Sequence, residues 1–189
     1  MNFANKISTF RILSVPFYIA TFVYYSPQRD YLRYVALGIF IAAAISDALD
    51  GYIARKNKQY TKAGLILDPL GDKLVLVSSF ICLYFIGDFP QGIKFPLSVT
   101  LIVVSRDAII LLGTLVVYMV KQSIDVHPTR WGKLTTTFQM ASVIAVLLQL
   151  RWSYIFWWPA VFCTVVSGVD YVMRGFKILY AVDINRNNH

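Results

Sequence analysis

The sequence predicts an all-α integral membrane protein of six transmembrane helices, with a candidate short N-terminal interfacial helix. Three observations predict it. The 189 residues are 57% hydrophobic with a mean hydropathy of +0.58, whereas soluble domains are nearer ~45–50% apolar. Runs approaching the ~20 apolar residues that span a bilayer recur along the whole chain. The joints between them are short and polar or carry Pro and Gly: SPQRD, RKNKQYTK, GDFPQGIK, KQSIDVHPTR and LRWS.

The first span lies near Ile12–Tyr25, lengthened by a helix that begins around Ile7. The basic segment Asn5 to Arg11 before it suits either an interfacial helix or the start of the span itself. The second span is Tyr31–Ala54, the third Gly64–Ile86 and the fourth Phe95–Val120. The fifth is Gly132–Leu150 and the sixth Ser153–Tyr180. No joint is long enough to separate domains, so residues 1–189 read as a single membrane domain without repeats. Gly113 and Gly168 suit close helix contacts or a dimer face. Trp152, Trp157 and Trp158 fit either an interfacial belt or simple packing. Cys82 and Cys163 fall inside apolar runs and read as inert buried thiols.

There are 18 Lys and Arg against 10 acidic residues, every one of them Asp, for a net charge of +8. Such a balance suits nucleic acid, an anionic membrane surface or an anionic substrate. In a chain this apolar the last two lead, and no nucleic-acid partner is expected. Twelve of the basic residues fall on one side of the predicted spans and four on the other. That bias puts both termini and the loop after the second span in the cytoplasm.

Against this background the stretch ISDALDGYIARKNKQYTKAGLILDPLGDK stands out. Asp47 and Asp50 are spaced i, i+3 near the cytoplasmic end of the second helix. Asp68 and Asp72 are spaced i, i+4 near the cytoplasmic start of the third. Each spacing puts a pair on one helix face. A short loop lets the two helices run as antiparallel neighbours, so the four carboxylates converge. Repulsion and desolvation would protonate some of them unless cations intervene. Hard carboxylate oxygens suit Mg²⁺, Mn²⁺ or Ca²⁺, with Mg²⁺ or Mn²⁺ expected, and four Asp can hold two ions. Gly51 and Gly64 permit close backbone approach, and Ala54 is similarly small. Arg55 offers a bidentate grip on a diphosphate, and Thr61 adds a hydroxyl.

The pattern Asp47-x₂-Asp50-Gly51-x₂-Ala54-Arg55-x₈-Gly64-x₃-Asp68-x₃-Asp72 resembles the hallmark of the CDP-alcohol phosphotransferase family at all eight positions. The six-helix layout is similar along most of the chain. The resemblance implies transfer of a phosphatidyl group from CDP-diacylglycerol to an acceptor alcohol, with release of CMP. It implies Asp47, Asp50 and Asp68 as principal metal ligands and Asp72 as general base and assisting ligand. It implies Gly51, Arg55 and Thr61, with Ala54 and Gly64, around the CDP-lipid. A homodimer in the bacterial cell membrane, with the site facing the cytoplasm, follows from the same likeness.

Three segments, FANKISTFRILSVPF, SRDAIILLG and PTRWGKLTTTFQM, resemble the subfamily that uses glycerol 3-phosphate as acceptor. Arg106 is a mid-helix arginine, costly unless it faces a cavity or a partner. It is the candidate ligand for the acceptor phosphate, helped by Lys133 and Arg130; the alternative is a structural pair with Asp107. Two departures stand out. Asp107 occupies a place where that subfamily often has Glu, and Thr135 a place where it often has a second Lys. One fewer cation leaves open phosphatidylglycerol as acceptor and cardiolipin as product. A cation transporter using the Asp cluster is the alternative from another class, and it would spread its acidic residues across the bilayer depth.

Overall fold

The computed structural model describes residues 3–57, 64–86, 89–121 and 130–187, with burial and side-chain contacts at 11–46, 71, 73–86, 89–114, 116 and 131–175. Its elements are α1 (Phe3–Val23), a 3₁₀ turn (Pro27–Arg29), α2 (Tyr31–Asn57), α3 (Gly64–Phe85), α4 (Leu97–Lys121), α5 (Arg130–Leu147) and α6 (Tyr154–Asn187). Among the described residues there is no strand. The six expected spans fall on the six observed helices, although α6 runs on to Asn187, past the expected end at Tyr180. At the start, Asn5 to Arg11 continues into α1 as one helix and forms no separate interfacial element.

Two helices, through Leu97–Thr114 and Tyr154–Gly175, contain stretches long and apolar enough to cross a membrane. Arg11–Val23, Tyr31–Ser46 and Lys73–Phe85 are shorter apolar stretches. Large apolar side chains face outward on every helix, among them Phe17, Val35, Phe85, Leu112, Leu134 and Phe162.

The helices close into a circuit, α1–α3–α4–α6–α5–α2 and back to α1. α2 and α3 each pack along α1 and touch one another only narrowly, so the expected simple hairpin is spread around a third helix. The core holds Tyr18, Phe40, Leu76, Phe80, Leu83, Phe95, Val143 and Leu147. Phe80 stacks on Phe95 with ring centroids 4.4 Å apart, and Trp157 packs on Phe95 at 5.5 Å. Trp152 and Trp158 point outward, so the three tryptophans divide between surface and packing. Cys163 is buried and Cys82 half-buried, and both thiols are free.

Lipid tails are as apolar as the side chains, so helix association in a bilayer relies on close packing and polar contacts. α4 and α6 use both. Gly113 lies under the ring of Tyr171, whose hydroxyl sits 2.6 Å from Thr114 Oγ1 and donates to the Ile110 carbonyl at 3.1 Å. Gly168 lies against the stem of Arg106. Both small residues therefore serve helix contacts within the chain. A Cβ at position 113 would stand 2.9 Å from Tyr171 Cε1. Gly113→Ala is expected to destabilise the bundle by about 1–3 kcal/mol through overpacking. A lowered melting temperature in detergent checks it, and an unchanged one would mean that Tyr171 moves freely.

The end of the bundle opposite the aspartate motif is tied by two polar side chains. Arg33 donates through Nε and Nη2 to both carboxylate oxygens of Asp30 at 2.8 Å, and through Nη1 to the Leu147 carbonyl at 2.5 Å. It thereby satisfies an orphan carbonyl at the end of α5. Arg33 holds the Asp30 carboxyl below its ordinary range. Gln149 adopts φ of 55° just past α5, with Leu150 N bonding to Ala145 O and Gln149 N to Val146 O. This is a Schellman ending, in which the left-handed residue is usually Gly. The side chain of Gln149 explains the exception. It accepts from Ile93 N at 3.2 Å and donates to Ile93 O at 2.9 Å.

Candidate functional site

The aspartate motif is divided between the last part of α2 and the first part of α3. Helical backbone runs through 47, 50, 51, 54 and 55 on α2 and through 64, 68 and 72 on α3. At about 1.5 Å rise per residue, Asp47 and Asp50 are ~4.5 Å apart along one helix, and Asp68 and Asp72 ~6 Å along the other. The side chains of Asp47, Asp50, Ala54, Arg55, Asp68, Asp72 and Arg130 lie outside the described residues, as does Thr61 altogether.

Described neighbours show where the two half-motifs lead. Ala43 and Ala44 of α2 and Val75 and Leu76 of α3 line one cavity of about 20 Å³, together with Arg11, Phe40 and Met140. Position 47 falls one turn beyond Ala43 and Ala44, and position 72 one turn before Val75 and Leu76. Residues one turn apart share a face. Both half-motifs therefore continue helix faces that meet at this cavity. It is large enough for a single water.

Arg11 is buried on this cavity. Its charge alone makes it look like a topology determinant at a membrane edge, yet it lies within α1 and places a buried cation at the cavity lined by α2 and α3.

A second polar cluster joins α3, α4 and α6. Lys73 Nζ lies 3.0 Å from Asp107 Oδ1, and Arg106 Nη1 lies 2.6 Å from the same oxygen. Arg106 Nη2 donates to Ser167 Oγ at 2.5 Å. Lys73, Arg106 and Asp107 are 16%, 7% and 0% exposed. Neighbouring residues on a helix do not normally face one another. Here the long arginine folds back over α4, along Gly168, to reach the short, buried aspartate. The mid-helix arginine thus has an ionic partner on its own helix and a hydroxyl partner on α6.

Lys133 is exposed on α5, while Thr135, two residues on, is fully buried and bonds to the Trp131 carbonyl at 2.8 Å. A lysine at 135 would enter the bundle interior, on a different face from Lys133. α6 packs on both α4 and α5, and no hydrogen bond or ion pair links Arg106 to Lys133.

The donor set fits hard divalent cations. The sequence places two carboxylates one turn apart on α2 and two on α3, and oxygen donors are what hard divalent cations prefer. Among the described residues no group of three or more His, Cys, Asp or Glu is gathered.

Residues 1–166 match the CDP-alcohol phosphatidyltransferase family. The chain is 31% identical over 182 residues to a probable phosphatidylglycerophosphate synthase of Mycobacterium tuberculosis, covering 93% of this chain and 82% of that one. It is 29% identical to the CDP-diacylglycerol–glycerol-3-phosphate 3-phosphatidyltransferase of Aquifex aeolicus, over 95% of this chain and 99% of that one. A protein of the same name from Rickettsia bellii is 30% identical, over 90% and 93% of the two chains.

Proposed function

Since the chain belongs to the CDP-alcohol phosphatidyltransferase family, we infer that it moves a phosphatidyl group from CDP-diacylglycerol to glycerol 3-phosphate and releases CMP. The observation that carries this reading is the near full-length similarity to proteins named for that reaction. The protein is an enzyme, a transferase of phospholipid synthesis.

An acceptor hydroxyl oxygen attacks the phosphorus that bears the diacylglycerol. A new P–O bond forms, and the bond from that phosphorus to the bridging oxygen breaks. CMP leaves with the bridging oxygen and its electron pair. Asp72 takes the hydroxyl proton. Asp47, Asp50 and Asp68, with Asp72 assisting, would hold the divalent ions, for which we propose Mg²⁺ or Mn²⁺. Bound there, such ions would offset the diphosphate charge and supply electrostatic stabilisation of the transferring group. Gly51, Ala54 and Gly64 leave space for the nucleotide, and Arg55 and Thr61 bind its phosphates and sugar.

Arg106, Lys133 and Arg130 are proposed as the cationic side of the acceptor subsite. Arg106 would do so from within its pair with Asp107, by long-range attraction. The single domain is proposed to cross the bacterial cell membrane six times, as a homodimer, with its site facing the cytoplasm. The distribution of basic residues and the outward-facing apolar side chains support that placement.

The test is CMP release by purified protein with CDP-diacylglycerol and Mg²⁺, with glycerol 3-phosphate and phosphatidylglycerol in separate reactions. Release with glycerol 3-phosphate is expected. Release with phosphatidylglycerol alone would overturn the acceptor and make the chain a cardiolipin synthase.

A further inference from the structure

We propose that Asp107 is a positioning residue for phosphatidyl transfer. Through Lys73 it fixes the start of α3, which bears Asp68 and Asp72, against α4 and α6. The inference rests on the reaction inferred above and adds a residue to it.

The geometry makes Asp107 the hub. One oxygen, Oδ1, meets both Lys73 Nζ on α3 and Arg106 Nη1 on α4. Arg106 passes the connection to Ser167 on α6. Lys73 directly follows Asp72 in the chain. Any shift of the Lys73 backbone therefore shifts the residue to which the proton is transferred. Attacking and accepting atoms must be held close to their reacting geometry, and an error of ~1 Å costs on the order of 10²-fold in rate. A buried ion pair across two helices is a strong way to set that register, because its partners cannot exchange for water.

Two further features set this cluster apart from simple packing. First, it is under-satisfied. Asp107 Oδ2 and Arg106 Nε are both buried without a hydrogen-bond partner, whereas buried polar groups are nearly always bonded. Second, a single carboxylate oxygen holds cations from two helices, Lys73 of α3 and Arg106 of α4, so it ties the two helices at one point.

The experiment uses the full-length protein in detergent or lipid nanodiscs, comparing wild type with Asp107→Asn, Lys73→Met, Lys73→Arg and the Lys73→Met/Asp107→Asn double variant. Melting temperature reports folding, steady-state CMP release gives kcat and both KM values, and Mn²⁺ titration followed by electron paramagnetic resonance gives metal affinity. For Asp107→Asn and Lys73→Met the expected result is a fall in kcat of about tenfold to 10²-fold. KM for glycerol 3-phosphate should stay within about threefold, and Mn²⁺ binding should weaken. The double variant should lose no more than the worse single one, because the two residues act as one unit. Lys73→Arg, which keeps the cation, should recover most of the rate.

Folded variants with unchanged kcat, or additive losses in the double variant, would overturn the proposal. A rise in KM for glycerol 3-phosphate at constant kcat would also overturn it and make the cluster an acceptor site. Lys73→Met leaves Asp107 paired with Arg106 and its charge balanced, so the Lys73 variants decide the matter if Asp107→Asn does not fold. Wild-type turnover separates the two levels: its absence counts against the reaction, and its presence beside unaffected variants counts against Asp107 alone.

Discussion

Asp72→Asn is expected to abolish CMP release, by about 10²–10⁴-fold, while leaving the melting temperature unchanged. The range is what a positioned general base contributes. The substitution is nearly isosteric, so the helical backbone through position 72 has no reason to change. It replaces an oxygen that accepts a proton with an amide that does not. A carboxylate close to cations is a weak base in water, but it serves when the same cations acidify the attacking hydroxyl. Steady-state CMP release by the purified variant decides the point. A fully active Asp72→Asn enzyme would remove Asp72 from the base role and leave it a structural or ligand residue.

Chelation is expected to have an effect of similar size. With EDTA, CMP release should fall to background, and added Mg²⁺ or Mn²⁺ should restore it. Four carboxylates brought together as proposed would repel one another when no cation lies between them, and the diphosphate would add further negative charge. The same interaction has a thermodynamic signature. A ligand that binds only the folded state at 100 times its dissociation constant stabilises it by about 2.7 kcal/mol. The melting temperature of the wild type should therefore rise with Mn²⁺, and that of Asp68→Ala should respond much less. Undiminished release in EDTA would rule out the divalent site.

The helices were legible because their signal is local. Runs of apolar residues broken by SPQRD, GDFPQGIK or LRWS mark ends within a few residues of those observed. Within the motif, helical spacing predicts that Asp47 pairs with Asp50 and Asp68 with Asp72, and the backbone at all four positions is helical. What stayed hidden depends on the circuit of helices, which no local pattern encodes. Lys73 and Asp107 are 34 positions apart, and Arg33 and the Leu147 carbonyl 114. Arg11 and Arg33 read as membrane-edge charges, yet both are buried in helices. Position 135 reads as a lost cation beside Lys133 until α5 puts the two on different faces. Gln149 carries no turn signal, because its left-handed backbone, which costs an ordinary residue about 1–2 kcal/mol, is held by contacts to a distant loop.

The helix circuit also bears on how the chain is made. α4 and α5 follow one another in synthesis, but the main packing partner of each is α6. α6 is the last of the six to leave the ribosome. α4 already has α3 to pack on, but its contact with α6 and most of the packing of α5 must wait until α6 arrives and closes the ring. The Arg106 contact to Ser167 and the seating of Tyr171 on Gly113 form only at that moment. Translation must thus pass Tyr171 before the contacts that join α4 to α6 exist.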